Sequence, residues 1–327
     1  MPGPESKVKI YRSLIVSFYL IIPITFTLVL LDSIFFGKMI KKSIPYSPQN
    51  ILIFATFFEL PHIVASLITF SDPQVISKYR KELLFPVPIL VFLAIFLPKI
   101  IGSALFGAFF YIVTIIHFVG QQFGLIKVMD RFDPRHFGRW KLTGILFGIL
   151  LQFGLVGINL ADYRDKSAWI SVTILLGLAF GFSSIRIYQY AGNALGKLYA
   201  VGNFFMLGIA HFYLIIGYPL FAMMVPRVIH DITALSFDMV HDHNRNRKAS
   251  SNLLYSALIP TKIPVLVLCP ILAVVLAFPL TWYKYRIPYQ ADNWIFIFIT
   301  ALHFFHYYTD SFVWKQSSPH RDFVEDR

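Results

Sequence analysis

Cysteine is almost absent from this chain. The single one, Cys269, lies in an apolar run, so no disulfide can form within the chain and thiolate-held iron–sulfur chemistry is excluded. Charge is scarce too: Asp, Glu, Lys and Arg make up 14% of the 327 residues, against about a quarter in an ordinary soluble protein. Carboxylates are the rarer sign, 17 against 29 Lys and Arg, for a formal charge of +12. There is no glycine-rich nucleotide loop, no G-x-S-x-G turn, no Ser/His/Asp order, no internal repeat and no low-complexity tract.

What fills the chain instead is apolar sequence, 57% of residues with a mean hydropathy of +0.64. Stretches without any Asp, Glu, Lys or Arg cover 13–31, 100–126, 142–161, 167–185, 198–226, 263–283 and 293–309. Each is near or above the ~20 residues that carry a helix across hydrocarbon, where only helices or closed barrels satisfy their own backbone. A further helix is expected over 49–70, interrupted only by Glu59, and a short broken span at Pro86, Pro88 and Pro98. The fold class that follows is all-α: a polytopic transmembrane helical bundle of about 9–10 spans with a histidine-rich polar core, residues 1–327 forming one integral membrane domain. The basic residues sit in loops, which points to contact with the bilayer and excludes a nucleic-acid partner. The positive-inside rule then places both termini in the cytoplasm. The loop with Lys38, Lys41 and Lys42 departs from that rule.

Ionisable groups inside a bilayer are costly, so those present mark either a paired core or a functional cavity. Seven of the ten histidines lie in or beside apolar segments: His62, His117, His211, His230, His241, His303 and His306. In RVIHDITALSFDMVHDHNRNR, residues 227–247, His230, Ala234, Phe237 and His241 share one helical face, with Asp238 about 80° from His230. In the last span, LHFFHYYTDSFVWK brings His303, His306, Tyr307 and Asp310 within roughly 100° of arc, and Trp314 with Lys315 reads as an interfacial anchor. Glu59, His62 and Ser66 fall on one face of the second helix. Glu59-x-x-His62 has the spacing with which di-iron bundles turn a carboxylate and an imidazole inward together. A protonated Glu59 bonded to a neighbouring helix is the plainer alternative.

Several imidazoles with a few carboxylates suit Fe(II), Zn(II) or Mn(II), and open positions for O2 and substrate favour non-haem iron. Asp231, Asp238 or Asp310 would be ligands or acceptors that orient the rings. Haem held between two histidines is a competing cofactor. The leading expectation is a membrane iron-dependent oxidoreductase acting on a lipid or isoprenoid substrate, served by an electron donor. His62, His117, His230, His241, His303 and His306 are its metal ligands, with Glu59, Asp238, Asp310 and Tyr307 taking part in the chemistry. The alternatives are a metal- or proton-coupled transporter, for which broken helices at Pro86–Pro98 and 219–226 would serve, or a haem electron carrier.

The pattern of PH at 61–62, a lone His117, His230 and His241, and HxxH at 303–306 resembles the Brp/Blh family of membrane β-carotene dioxygenases. That resemblance implies an iron held by histidines of several helices and O2-dependent attack on a long apolar substrate. PHIVAS stands where that family's glycine-containing PHG-type motif would be expected. The HD…NRNR and HYYTDSFVWK stretches are also similar to motifs of uncharacterised bacterial multi-pass membrane proteins.

Overall fold

The computed structural model describes residues 7–44, 51–130, 133–157, 163–246, 250–258, 263–286, 293–314 and 323–326. Its longer helices are α1 (Ile21–Ile34), α2 (Leu52–Phe57), α3 (Leu60–Ile68), α4 (Pro86–Ile101), α5 (Ser103–Gly124) and α6 (Pro134–Gly157). They continue as α7 (Tyr163–Tyr190), α8 (Ala194–Ile216), α9 (Pro219–Asn246), α10 (Val265–Arg286) and α11 (Trp294–Val313). The two-residue strands β1 (Lys9–Ile10) and β2 (Glu325–Asp326) pair in parallel.

Among the described residues, eight stretches of helix are long and apolar enough to cross a membrane: Arg12–Ile34, Leu52–Ser71, Arg80–Ile101, Ser103–Gly124, Ser167–Tyr190, Ala194–Ile216, Pro219–Asn246 and Val265–Arg286. The protein is therefore an all-α, multi-pass integral membrane protein. The count is below the nine or ten expected for identifiable reasons. Residues 158–162 of the expected 142–161 span lie outside the described residues, and α11 is diluted by His303, His306, Tyr307, Tyr308 and Asp310.

Proline and glycine set several boundaries differently from the sequence reading. Pro86 and Pro88 occupy the first turn of α4, where no N–H partner is needed, so the span expected to be broken is one helix with Pro98 inside it. Within the charge-free stretch 198–226 the helix stops at Ile216. Gly217 takes the left-handed conformation (φ +81°), and the Tyr218 amide donates back to the Tyr213 carbonyl, as helix C-caps do. Pro219 then opens α9, which runs on through Pro226. At the other site, one helix was expected over 49–70, but the ring of Pro61 would clash with the carbonyl four residues back, at Phe57. The helix breaks there: Phe58 is extended, and Glu59 has φ +142°.

The chain packs as two compact units. The first comprises residues 1–11, 51–106 and 231–327; the second comprises 12–50 and 107–230. In the first, α3 and α10 form the core: Leu60, Ile63 and Ala277 pack with Ile295, Phe296 and Ile299 of α11, and Ala65, Ile68, Cys269 and Ala273 with Tyr255.

In the second unit α6, α7 and α8 pack together. Asp32 accepts from the Ile40 and Lys41 amides and from the Tyr218 hydroxyl, and Lys41 donates to the Ile216 carbonyl at the end of α8. The basic loop that departs from the charge rule thus supplies a helix C-terminal cation. Tyr19 lies against Gly202, where an added methyl carbon would stand 2.7 Å from the ring. Replacing Gly202 with Ala is expected to cost about 1–3 kcal/mol by overpacking, measured as a lowered midpoint of thermal unfolding in detergent.

Candidate metal centre

Within the first unit, α3, α9 and α11 bring together residues more than 230 positions apart in the chain. His62, in the first turn of α3, has Nδ1 3.3 Å from Asp231 Oδ1 on α9. Its ring meets that of His306 on α11 edge to face, with centroids 5.2 Å apart. One helical turn beyond His306, Asp310 Oδ1 lies 3.7 Å from His306 Nδ1. His62, Asp231 and His306 are 5%, 3% and 1% exposed, so the group is sealed from bulk solvent within the protein.

Ser66 gives the His306 ring a hydrogen-bond partner at Nδ1. Ser66 has a single hydroxyl hydrogen, which it donates to the Ile63 carbonyl at 2.8 Å, and its oxygen also lies 2.8 Å from His306 Nδ1. With that hydrogen on the Ile63 carbonyl, the oxygen accepts from Nδ1, the arrangement that leaves the lone pair on Nε2 for a metal. A second partner of this kind is the usual support of a metal-bound imidazole.

The distances meet a simple test for metal binding. With metal–ligand bonds of about 2.0–2.2 Å, two ligand atoms on one ion at 90–110° stand roughly 3.0–3.5 Å apart, and two imidazole centroids roughly 4.5–5.5 Å apart. The observed 3.3 Å and 5.2 Å fall in these ranges. The first is also longer than a charge-assisted hydrogen bond, about 2.7–2.9 Å. His62 with Asp231, and His306 with Asp310, are imidazole–carboxylate pairs, donors of the kind that bind Fe(II), Zn(II) or Mn(II).

The other expected site residues lie as follows. Glu59, displaced from the α3 helical face by the break before Pro61, pairs with Lys284 at 2.5 Å. The inward Glu-x-x-His geometry is therefore not formed. His303 donates from Nδ1 to the Ile299 carbonyl and packs on Tyr307, which also touches the His306 ring. Ten residues along α9 from Asp231, or about 15 Å, His241 is bonded to Asp242 at 2.9 Å and lies against Trp314 and Phe323. Asp242 also accepts from Thr69 and Tyr255. Asp238 lies within Coulombic range of Asp310 and Asp242. His117 and His230 belong to the second unit, where their rings are 5.9 Å apart and Phe118 packs on His230. His211, also in that unit, is stacked on Phe147 at 3.8 Å and donates from Nδ1 to the Leu207 carbonyl, as a packed core imidazole does. Trp314 packs on Phe237 and His241, while Lys315 of the expected anchor lies outside the described residues.

Sequence reasoning gave Asp231 only as one of three alternative carboxylates and gave Ser66 no role. The signal for Ser66 was its position one turn after His62. Asp72 and Arg245 were missed altogether. The Asp72 carboxylate accepts from Arg245 Nη2 at 2.6 Å, Arg245 Nε at 3.0 Å, the Ser251 hydroxyl and the Gln74 amide. It ties the end of α9 to the turn after α3.

Comparison with protein-family models, with curated proteins and with solved structures gives no match, so the chemistry rests on the site itself. The class that fold and site define together is a multi-pass helical membrane protein with a buried histidine–carboxylate group.

Removing the hydroxyl by Ser66→Ala is expected to weaken metal binding by about 10–100-fold while leaving the secondary structure unchanged, measured by competition with a chromophoric chelator.

Proposed function

We propose that this protein is a metal-dependent membrane oxidoreductase of the non-haem iron type that acts on a lipid or isoprenoid substrate. The observation that supports this reading is the buried group around His62, whose Nδ1 lies 3.3 Å from Asp231 and whose ring centroid lies 5.2 Å from that of His306. These three would hold the ion, which when bound would supply O2-activating redox chemistry at positions left open by the protein ligands. Ser66 lies 2.8 Å from His306 Nδ1, and Asp310 places a carboxyl oxygen 3.7 Å from the same nitrogen, both able to orient the ring. The centre is framed by α3 and α9, both within candidate membrane spans, so an apolar substrate would arrive from the bilayer and an external electron donor would complete the turnover.

The test is metal analysis and an absorption spectrum of the full chain purified in mild detergent under anaerobic conditions. About one non-haem iron per chain, giving an electron paramagnetic signal on addition of nitric oxide, is expected. A Soret band would replace this reading by a haem protein. Absence of any stoichiometric metal, together with ion flux in liposomes, would replace it by a transporter.

A further inference from the structure

The second unit gathers six cationic side chains at one end of its helices. Lys127 follows α5; Arg135, Arg139 and Lys141 lie in the opening turns of α6; Arg186 lies in the last turns of α7; and Lys197 is in the first turn of α8. Cross-links between elements fix these as one end. Asn193, before α8, donates to the Met129 carbonyl and its amide to Asp130. Trp140 of α6 donates to Ser184 of α7, and His136 stacks on Tyr190 with centroids 4.2 Å apart. Arg12 reaches the Met129 carbonyl, so the start of the first span joins the same end.

Two carboxylates are described at this end, and both are engaged by backbone amides: Asp130 accepts from Asn193 N and Asp133 from Arg135 N. Lys127, Arg135, Arg139 and Arg186 are exposed. Several cations lie over aromatic rings, Lys127 on Phe137 at 4.2 Å, Arg186 on Phe182 at 5.2 Å and Lys197 on Tyr188 at 5.5 Å. Phe182 and Tyr188 are 62% and 44% exposed. Exposed cations bordered by exposed aromatics at the end of membrane spans match a surface with phosphate above and acyl chain below.

We infer that the basic end of the second unit, centred on Arg135, Arg139 and Arg186, is a binding surface for the headgroups of anionic glycerophospholipids. The charge complementarity is one-sided: six cations, four of them exposed, stand at this end against two described carboxylates already bonded to amides. The guanidinium groups suit the bidentate recognition of phosphate. This surface shares no residue with the metal centre, so the two readings succeed or fail independently.

The test is native mass spectrometry of the full chain released from detergent after incubation with phosphatidylglycerol or phosphatidylcholine. Retention of phosphatidylglycerol but not phosphatidylcholine is expected. The triple variant R135Q/R139Q/R186Q should lose phosphatidylglycerol affinity by about a hundredfold, from the ~1 kcal/mol that each basic group near an anionic surface contributes. Lys42→Gln, at the opposite end of the unit, should leave retention unchanged, and inorganic phosphate at millimolar concentration should not displace the lipid. Equal retention of both lipids, or an unaffected triple variant whose circular dichroism is native, would overturn the inference. Full displacement by inorganic phosphate would identify a soluble anion as the occupant instead and would overturn it as well.

Discussion

Replacing His306 with alanine is expected to lower the metal affinity of the purified protein by more than about 100-fold, and His62→Ala and Asp231→Asn are expected to do the same. Losing a ligand should cost more than losing the partner of a ligand, for which 10–100-fold is typical. The double variant H62A/H306A should be little worse than either single one, because residues that act as a unit are not additive. A folding control is built into the linkage. Metal bound only by the native state stabilises it, so a chelator should lower the thermal midpoint of the unaltered chain and leave that of His306→Ala where it is. His136→Ala, whose ring stacks on Tyr190 in the other unit, should retain full metal content. Undiminished metal in His306→Ala would remove α11 from the site.

The largest effect on stability is expected at Asp72. This carboxylate is 1% exposed and accepts from both Arg245 nitrogens, from Ser251 and from the Gln74 amide. Arg245→Met would leave a buried charge without its counter-ion, a loss of about 3–5 kcal/mol. Adding Asp72→Asn to that variant should recover much of it, since the isolated charge is then gone. Burial alone would raise the Asp72 carboxyl, but the Arg245 guanidinium, the Ser251 hydroxyl and the Gln74 amide outweigh it and hold the group below the ordinary carboxylate range. The sign follows: a carboxyl depressed in the folded state contributes stability that is complete above its unfolded value, about 3.9, and lost as pH falls through the lower folded value. The unaltered protein should therefore lose stability below about pH 4, and Asp72→Asn should flatten that acid limb in unfolding curves recorded across pH.

The helical membrane class was legible in the chain because hydropathy is a local property: a run of apolar residues declares its span without knowing its neighbours. The break at Glu59 was legible in principle as well. Pro61 removes one ladder hydrogen bond and crowds the Phe57 carbonyl, and with the break there Glu59 leaves the face of His62 and turns to Lys284. The paired boundaries at Gly217 and Pro219 follow the same grammar of left-handed glycine and first-turn proline.

The partners of the histidines were not legible. His62 and His306 are separated by more than 240 residues, and only the packing of α3 beside α11 within one unit sets their rings 5.2 Å apart. His241 carries the same side chain on an equally apolar helix, yet its neighbours are Asp242, Trp314 and Phe323. Helical spacing states which residues share a face but leaves open what that face meets. By itself, then, the sequence determined the solvent, the secondary structure and the inventory of chemistry-bearing groups, each set by residues within a few positions of one another. Only the tertiary structure decided which two imidazoles and which carboxylate stand together, because a metal-sized arrangement depends on ångström separations between helices that no local pattern encodes.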